Sequence, residues 1–273
     1  LYIIIFMMLK KLTIAILYIL LLSLNANAGS DGQLTLNEKN QTKEIKDCFE
    51  KLNRATFAFN QGLDKAVIRP LAESYRNLPD PIQKGTSNAV KNLSNLITIP
   101  NNILQGDVKT ALINTGRLAV NTTLGLLGTI DVANKMGFPK YVKEDYGQTL
   151  GAWGFGPGCY VVLPVLGPST LRDTAGSFAN VLGGDPWYNA SAHGNNEFLS
   201  EGLYLTSKAL SGIDFRANNI ESFENLQKNS IDFYASVRSL YVQDRENKIE
   251  NNQRGNIEVL YKDEEDWEEI DNK

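Results

Sequence analysis

Histidine and cysteine are nearly missing from this sequence: His193 stands alone, and Cys48 and Cys159 are the only thiols among 273 residues. A hydrolase needs a nucleophile, a base that holds a proton near neutral pH and donors for the oxyanion. A structural zinc site needs four ligands, mostly Cys and His. Both start short of parts, and neither a metal nor a cofactor is expected. His193 lies in Asn-Ala-Ser-Ala-His-Gly-Asn-Asn, a loop composition with no second ligand at helical spacing. The nearest approach to a nucleophile elbow, Gly167-Pro168-Ser169-Thr170-Leu171, lacks the second glycine, and Pro168 removes a backbone donor. Ser169, Asp173 and His193 are the only constellation left to a hydrolase, and the expectation is a protein that binds rather than catalyses.

Positive charge is also short. Lys and Arg number 27 against 31 Asp and Glu, for a formal charge of −4 without a basic stripe. That excludes nucleic acid as a partner.

Long apolar runs are confined to the start. Lys10 and Lys11 precede an apolar stretch from Leu12 to Leu24 and a small-residue site at Ala26-Asn27-Ala28, the build of a secretory signal peptide over 1–28. Cleavage after Ala28 is expected. The alternative is an uncleaved anchor, since residues 1–24 together are long enough to span a bilayer. An exported chain meets an oxidising compartment, where Cys48 and Cys159 either pair or remain two separate buried thiols. Residues 29–46 are polar and read as a flexible leader. Residues 251–273 end in KDEEDWEEIDNK, with seven acidic residues against two lysines, and read as an acidic disordered tail.

Between these ends the pattern is helical. Asp47 is placed to cap a first helix carrying Phe49, Leu52, Phe59 and Leu63. Arg69-Pro70 is expected to break it, with Pro70 in the first turn of a short helix ending near Asn77. Asp80-Pro81 opens another, with Ile82, Ala89, Leu93 and Leu96 on one side and a break at Pro100. The clearest period follows: Asp107 caps VKTALINTGRLAVNTT, in which Val108, Ala111, Leu112, Thr115, Leu118, Ala119 and Thr122 form one stripe. Beyond residue 169, TLRDTAGSFANVL, EFLSEGLYLTSKAL and IESFENLQKNSIDFYASVRSLYVQDREN are each amphipathic, the last read as one long helix. The fold class is all-α or nearly so, with one strand pair expected around Cys159–Leu163.

Residues 146–173, YGQTLGAWGFGPGCYVVLPVLGPSTLRD, differ from everything else. Six glycines, three prolines and several aromatics occupy a stretch whose only charges are Arg172 and Asp173. Such a segment suits a loop that lies against something apolar, with Trp153, Phe155 and Tyr160 as amphipathic surfaces. A surface loop folded onto its own core has the same composition, and both readings stand.

The residues carry a resemblance. Asp47-Cys-Phe-Glu-Lys-Leu-Asn-Arg54, Phe57, Phe59-Asn60 and Leu63-Asp64 are followed in order by Ile68-Arg69-Pro70, Leu104-Gln-Gly-Asp107, Arg117, Asn121-Thr-Thr-Leu-Gly125 and Ile130-Asp131. Gly147-Gln-Thr-Leu-Gly151, Tyr160-Val-Val-Leu-Pro164 and Leu171-Arg-Asp173 complete the series. Over about 45–245 this resembles the MlaA/VacJ family of Gram-negative outer-membrane proteins. The resemblance implies a helical domain over 47–250, arranged as a ring of short amphipathic helices with one hairpin-like loop. It implies a phospholipid channel that removes misplaced lipid from the outer leaflet and passes it to a periplasmic carrier, on the periplasmic face of the outer membrane, beside a trimeric porin. The lipid-side hairpin would comprise Trp153, Gly154, Phe155, Gly156, Tyr160, Pro164, Leu166 and Gly167. Its base and the first helix would contribute Phe59, Asn60, Arg172 and Asp173. Cys48 and Cys159 stand where the family pattern often has proline, which suggests a disulfide between the first helix and the hairpin. No lipobox cysteine follows Ala28, so acylation is not expected. A periplasmic lipid hydrolase and a porin-associated structural adaptor are the rival readings.

Overall fold

The computed structural model describes residues 45–192 and 201–253. The signal segment, nearly all of the leader, most of the acidic tail and His193 lie outside the described residues. Within them the chain is mostly helical, with a single two-stranded sheet. In chain order the helices are α1 (Glu50–Leu63), α2 (Arg69–Arg76), α3 (Asp80–Leu104), α4 (Val108–Thr123) and α5 (Val132–Lys135). After α6 (Tyr146–Ala152) come β1 (Tyr160–Leu163) and β2 (Gly167–Thr170). The chain continues through α7 (Leu171–Ala179), α8 (Pro186–Ala192), α9 (Glu201–Asn218), α10 (Ile220–Asn229) and α11 (Phe233–Gln253).

Side-chain caps start several of these helices. Asp107, Asp131, Asp145 and Thr170 each accept from a backbone N–H in the first turn of α4, α5, α6 and α7. Asp47 does not cap α1, contrary to expectation. Phe49 holds the N-cap position, and the Asp47 carboxylate accepts instead from Asn53 Nδ2 at 2.7 Å, from the Tyr234 hydroxyl and from Arg238 Nη1 at 3.1 Å.

Two expected breaks are absent. Helix α1 runs into α2 through a wide turn at Asp64–Ile68, where the Arg69 N–H donates to the Asp64 carbonyl five residues back. That wider winding makes room for the Pro70 ring. Helix α3 continues past Pro100 to Leu104, with Asn101 Nδ2 donating to the Ile97 carbonyl at 2.8 Å beside the bond proline cannot make. One break was not anticipated. The long C-terminal pattern is two helices, divided at 230–232, because Asp232 Oδ1 accepts from the Ala235 N–H and restarts the winding as a cap.

The burial pattern is the principal departure. On α4 the buried residues are Ala111, Asn114, Arg117 and Asn121, whereas Val108 and Leu112 from the expected stripe are 57% and 68% exposed. On α3 the buried face is Asn92, Asn95, Ile97, Thr98, Asn101 and Asn102, while Ile82, Ile103 and Leu104 are exposed. These two helices pack on each other through amides: Asn114 Nδ2 donates to Asn102 Oδ1 at 2.9 Å, and Asn92 Nδ2 to Thr122 Oγ1 at 3.0 Å. Arg117 adds an ion pair with Asp131, its Nη2 donating to both carboxylate oxygens at 2.8 and 3.0 Å. The period of the apolar residues is helical as expected, but of the two expected stripes only Ala111 is buried, and Ile82, Val108 and Leu112 face outward. Apolar cores are small: Ala72, Tyr75, Ala217 and Ile220 in one, and Tyr160, Val162 and Tyr234 in the other.

Candidate functional site

The hairpin follows from its turn chemistry. β1 and β2 pair antiparallel in the register Tyr160↔Thr170, Val161↔Ser169, Val162↔Pro168 and Leu163↔Gly167. The turn places Val165 at φ 67°, a conformation costly for a β-branched residue, and Gly167 at φ 83°, where glycine carries no such cost. Strain at Val165 persists only where its surroundings hold it.

Helix α1 does the holding. Asn60 Nδ2 donates to the Leu163 carbonyl at 2.9 Å, and Asn60 Oδ1 accepts from the Val165 N–H at 2.8 Å. Two helical turns earlier Asn53 repeats the arrangement, donating to the Tyr160 carbonyl at 3.0 Å and accepting from the Val162 N–H at 2.9 Å. Residues seven apart share a helix face, so two carboxamides take the place of a third strand along the outer edge of β1. The Tyr160 N–H is taken by the Lys46 carbonyl at 2.9 Å. A disulfide between Cys48 and Cys159, with a Cα separation of 5.6 Å, ties the start of α1 to the start of β1.

The other edge is built differently. Tyr160 and Val162 turn their amides outward, so their register partners Thr170 and Pro168 also face away from the pair. Pro168 has no N–H to offer there, which blunts the β2 edge. The hairpin is therefore clamped along β1 and lacks a backbone donor midway along β2.

An aromatic cluster seats the base. The Tyr160 ring meets those of Tyr234 and Tyr241 edge-on at 6.0 and 6.3 Å, and Phe57 packs on Tyr234 at 5.4 Å. Burial holds the Tyr160 phenol well above the usual tyrosine range, with the Asp47 charge acting the same way. Tyr160 is fully buried, so it supports the hairpin from within and does not present the apolar-facing surface expected of it.

Beneath lies an ionic knot. Arg245 on α11 grips Asp145, the α6 cap, at 2.7 and 2.9 Å, and Asp173, in the first turn of α7, at 3.0 Å through two nitrogens. Tyr241 donates to Asp173 Oδ2 at 2.6 Å. Burial opposes ionisation of both carboxyls, and Arg245 overrides it, holding Asp145 and Asp173 below the usual aspartate range. Helices α6 and α7 meet closely above this knot; a Cβ on Gly176 would lie 2.3 Å from the Gly147 nitrogen.

The sequence-derived residues divide accordingly. Asn60, Cys48, Cys159, Arg172 and Asp173 converge on the hairpin and its base. Arg172 lies buried against Asp173 Oδ1 at 3.0 Å with Nη1 3.4 Å from the Phe155 carbonyl, so it braces the loop and does not extend toward solvent. Pro164 and Leu166 are exposed at the tip and Gly167 is half-buried. Trp153, Gly154, Phe155 and Gly156 are exposed in the loop between α6 and β1, with Trp153 Nε1 donating to the Leu104 carbonyl at 2.9 Å. Phe59 is exposed. Sequence reading missed Asn53, Asp145, Tyr241 and Arg245; only Asn53 left a signal, as the partner of Asn60 at a spacing of seven. Ser169 Oγ lies 3.0 Å from Thr174 Oγ1 and 3.3 Å from the Thr170 carbonyl, and the Asp173 oxygens are taken by Arg172, Arg245 and Tyr241.

Comparison with known proteins agrees with this architecture. A family model described as MlaA lipoprotein matches residues 45–248. The intermembrane phospholipid transport system lipoprotein MlaA of Escherichia coli is 36% identical over 202 residues, covering 72% of this chain and 76% of that protein. Its namesake in Haemophilus influenzae is 28% identical over 219 residues, covering 78% and 83%. A solved structure reported under the heading "Structural basis for maintenance of bacterial outer membrane lipid asymmetry" superposes with a TM-score of 0.63 at 34% identity, covering 75% of this chain and 99% of that one. This chain belongs to the MlaA family.

Proposed function

We propose that this protein works in the maintenance of outer-membrane lipid asymmetry, taking phospholipid out of the outer leaflet and passing it to a carrier in the periplasm. One observation carries the reading: helices α3 and α4 bury a row of asparagines and Arg117 while Ile82, Ile103, Leu104, Val108 and Leu112 lie exposed. A protein surrounded by water gains by hiding such side chains, each worth about 1.5–3 kcal/mol on burial. One set in the acyl region of a leaflet gains by exposing them. Among the described residues no helix is long and apolar enough to cross a membrane. Helices lying within one leaflet, as a ring around a polar interior, satisfy both facts. The interior then offers a polar path for a headgroup while the acyl chains stay in lipid, and the Gly/Pro/aromatic hairpin borders that path.

The work is non-covalent transfer. The names of the relatives, lipid transport in the envelope, favour it over a periplasmic lipid hydrolase, and the occupied oxygens of Asp173 point the same way. The resemblance brings with it a trimeric porin and a periplasmic lipid carrier as partners, and the outer membrane as location.

Purified protein extracted from membranes tests this. Intact phospholipid is expected to co-purify and to remain intact on incubation. Time-dependent fatty-acid release, abolished by His193→Ala, would establish the hydrolase instead. Stable porin association without any bound lipid would leave only the adaptor.

A further inference from the structure

The chain leaves α4 in a short loop, 124–130, whose backbone is strained and whose side chains are ill suited to water. No charged residue lies between Arg117 and Asp131. Leu124, Leu126 and Leu127 are 65%, 68% and 76% exposed, and Ile130 is exposed as well. Leu126 and Leu127 both adopt left-handed backbone, at φ 50° and 57°. Leucine rarely enters that region, and two in succession persist only where their surroundings fix them.

Asn121 keeps them there. Its carbonyl accepts from the Gly128 N–H at 2.8 Å, its Nδ2 donates to Asp131 Oδ1 at 3.0 Å and its Oδ1 accepts from the Ala133 N–H at 2.9 Å, so one buried residue joins α4, the loop and α5. The Leu127 N–H donates to the Thr122 carbonyl at 3.1 Å, and the Ile130 N–H to the Gly125 carbonyl at 2.9 Å. Gly128, at φ 89°, lies so close to α3 that a Cβ would stand 2.5 Å from Asn92 Cβ. The loop is thus pinned with its leucines outward.

Its polar groups are engaged within the chain. The exposed Thr123 hydroxyl donates to the Ala119 carbonyl at 2.7 Å, and the exposed Thr129 hydroxyl to the Leu126 carbonyl at 3.0 Å. Asn88 Nδ2 of α3 donates to the Thr129 carbonyl at 3.1 Å. Water or a partner protein would favour polar groups turned outward, whereas an acyl layer offers no hydrogen bonds and requires them turned in. Lys135 and Lys140 then follow in the chain, both exposed, and their charge complements the phosphates that border such a layer.

We propose that the loop 124–130 is a rigid apolar wedge that enters the acyl layer of a phospholipid leaflet, with Lys135 and Lys140 at the level of the headgroup phosphates. The strain accompanies a framework that is ordered before it meets lipid, so that little conformational freedom is lost on insertion. The wedge rests on the leaflet placement proposed above and assigns the point at which the chain grips it.

Flotation of the full chain with vesicles of phosphatidylethanolamine and phosphatidylglycerol tests the wedge. Asparagine tolerates left-handed backbone, so Leu126→Asn with Leu127→Asn relieves strain while it removes apolar surface. This pair is expected to lower partition into the vesicles about a hundredfold, about tenfold for each leucine, while its melting temperature in detergent holds or rises. Leu124→Ser, at a residue without strain, should lower partition about tenfold on its own. Lys135→Gln with Lys140→Gln should remove the preference for phosphatidylglycerol over phosphatidylcholine. Parent-like partition of the asparagine pair and of Leu124→Ser overturns the wedge and leaves the leaflet placement standing; a parent that does not float with vesicles overturns both. Loss of porin association with unchanged partition would make the loop a protein contact and overturn the wedge.

Discussion

The Asn60 carboxamide oxygen accepts from the Val165 N–H at 2.8 Å while its nitrogen donates to Leu163, so one side chain of α1 bridges the strained turn of the hairpin. The tip thus owes its shape to a residue about a hundred positions upstream.

Asn60→Ala should loosen that tip. The freed groups are near solvent, so the loss of stability is expected to stay at about 1 kcal/mol. Exchange of the Val165 amide should rise at least tenfold, while that of Val162, still held by Asn53, stays slow. Equal protection of Val165 in both proteins would remove Asn60 from this role. Deleting Phe59 and Asn60 together goes further, since it rotates the rest of α1 by about 200° and misplaces every contact beyond.

The disulfide closes a loop of 111 residues. Replacing both cysteines by serine should cost about 2–4 kcal/mol, read from denaturant unfolding of parent and variant under oxidising conditions. Lipid flux is the second readout. If transport requires the base of β1 to stay with α1, the double variant loses flux at temperatures where it remains folded; unchanged flux assigns the bond to stability only.

Arg245→Met leaves the buried Asp173 and the half-buried Asp145 without their shared guanidinium and should cost on the order of 3–5 kcal/mol. The pH dependence has a definite sign. Asp145 and Asp173 have folded pKa values below their unfolded ones. Their contribution is fully present above the ordinary aspartate value of about 4 and is lost as pH falls from there through the depressed folded values. Thermal melts of the parent should decline on acidification in that window, and those of Arg245→Met should decline less. A parallel decline would show that the knot is not the acid-sensitive element.

Two glycines of the same segment should differ. Gly176→Ala places a methyl against the Gly147 backbone and must separate α6 from α7, whereas a Cβ on Gly156 meets nothing within 4 Å. Melting temperatures should fall by several degrees for the first and hold for Gly156→Ala. If both fold equally well, the close approach of α6 and α7 is not a constraint.

Much of the fold was legible in the sequence because local signals are independent of the surroundings. Asp107 caps α4 where expected, and the strand pair falls beside Cys159. The orientation of the helices was not legible. Val108 and Leu112 mark a face by their spacing, but whether that face turns inward depends on the solvent outside, which periodicity does not encode. Arg245 gave no signal because its partners Asp145 and Asp173 lie 100 and 72 residues away. Pro70 and Pro100 misled because wider winding and a neighbouring amide absorbed their effects.

The most direct test is made in a Gram-negative strain lacking its own MlaA and carrying this chain instead, with outer-leaflet phospholipid measured by surface labelling. The account predicts that labelled phospholipid falls to the level of the intact strain. Phospholipid remaining at the level of the deficient strain, with the protein verified as folded and present in the outer membrane, would contradict it.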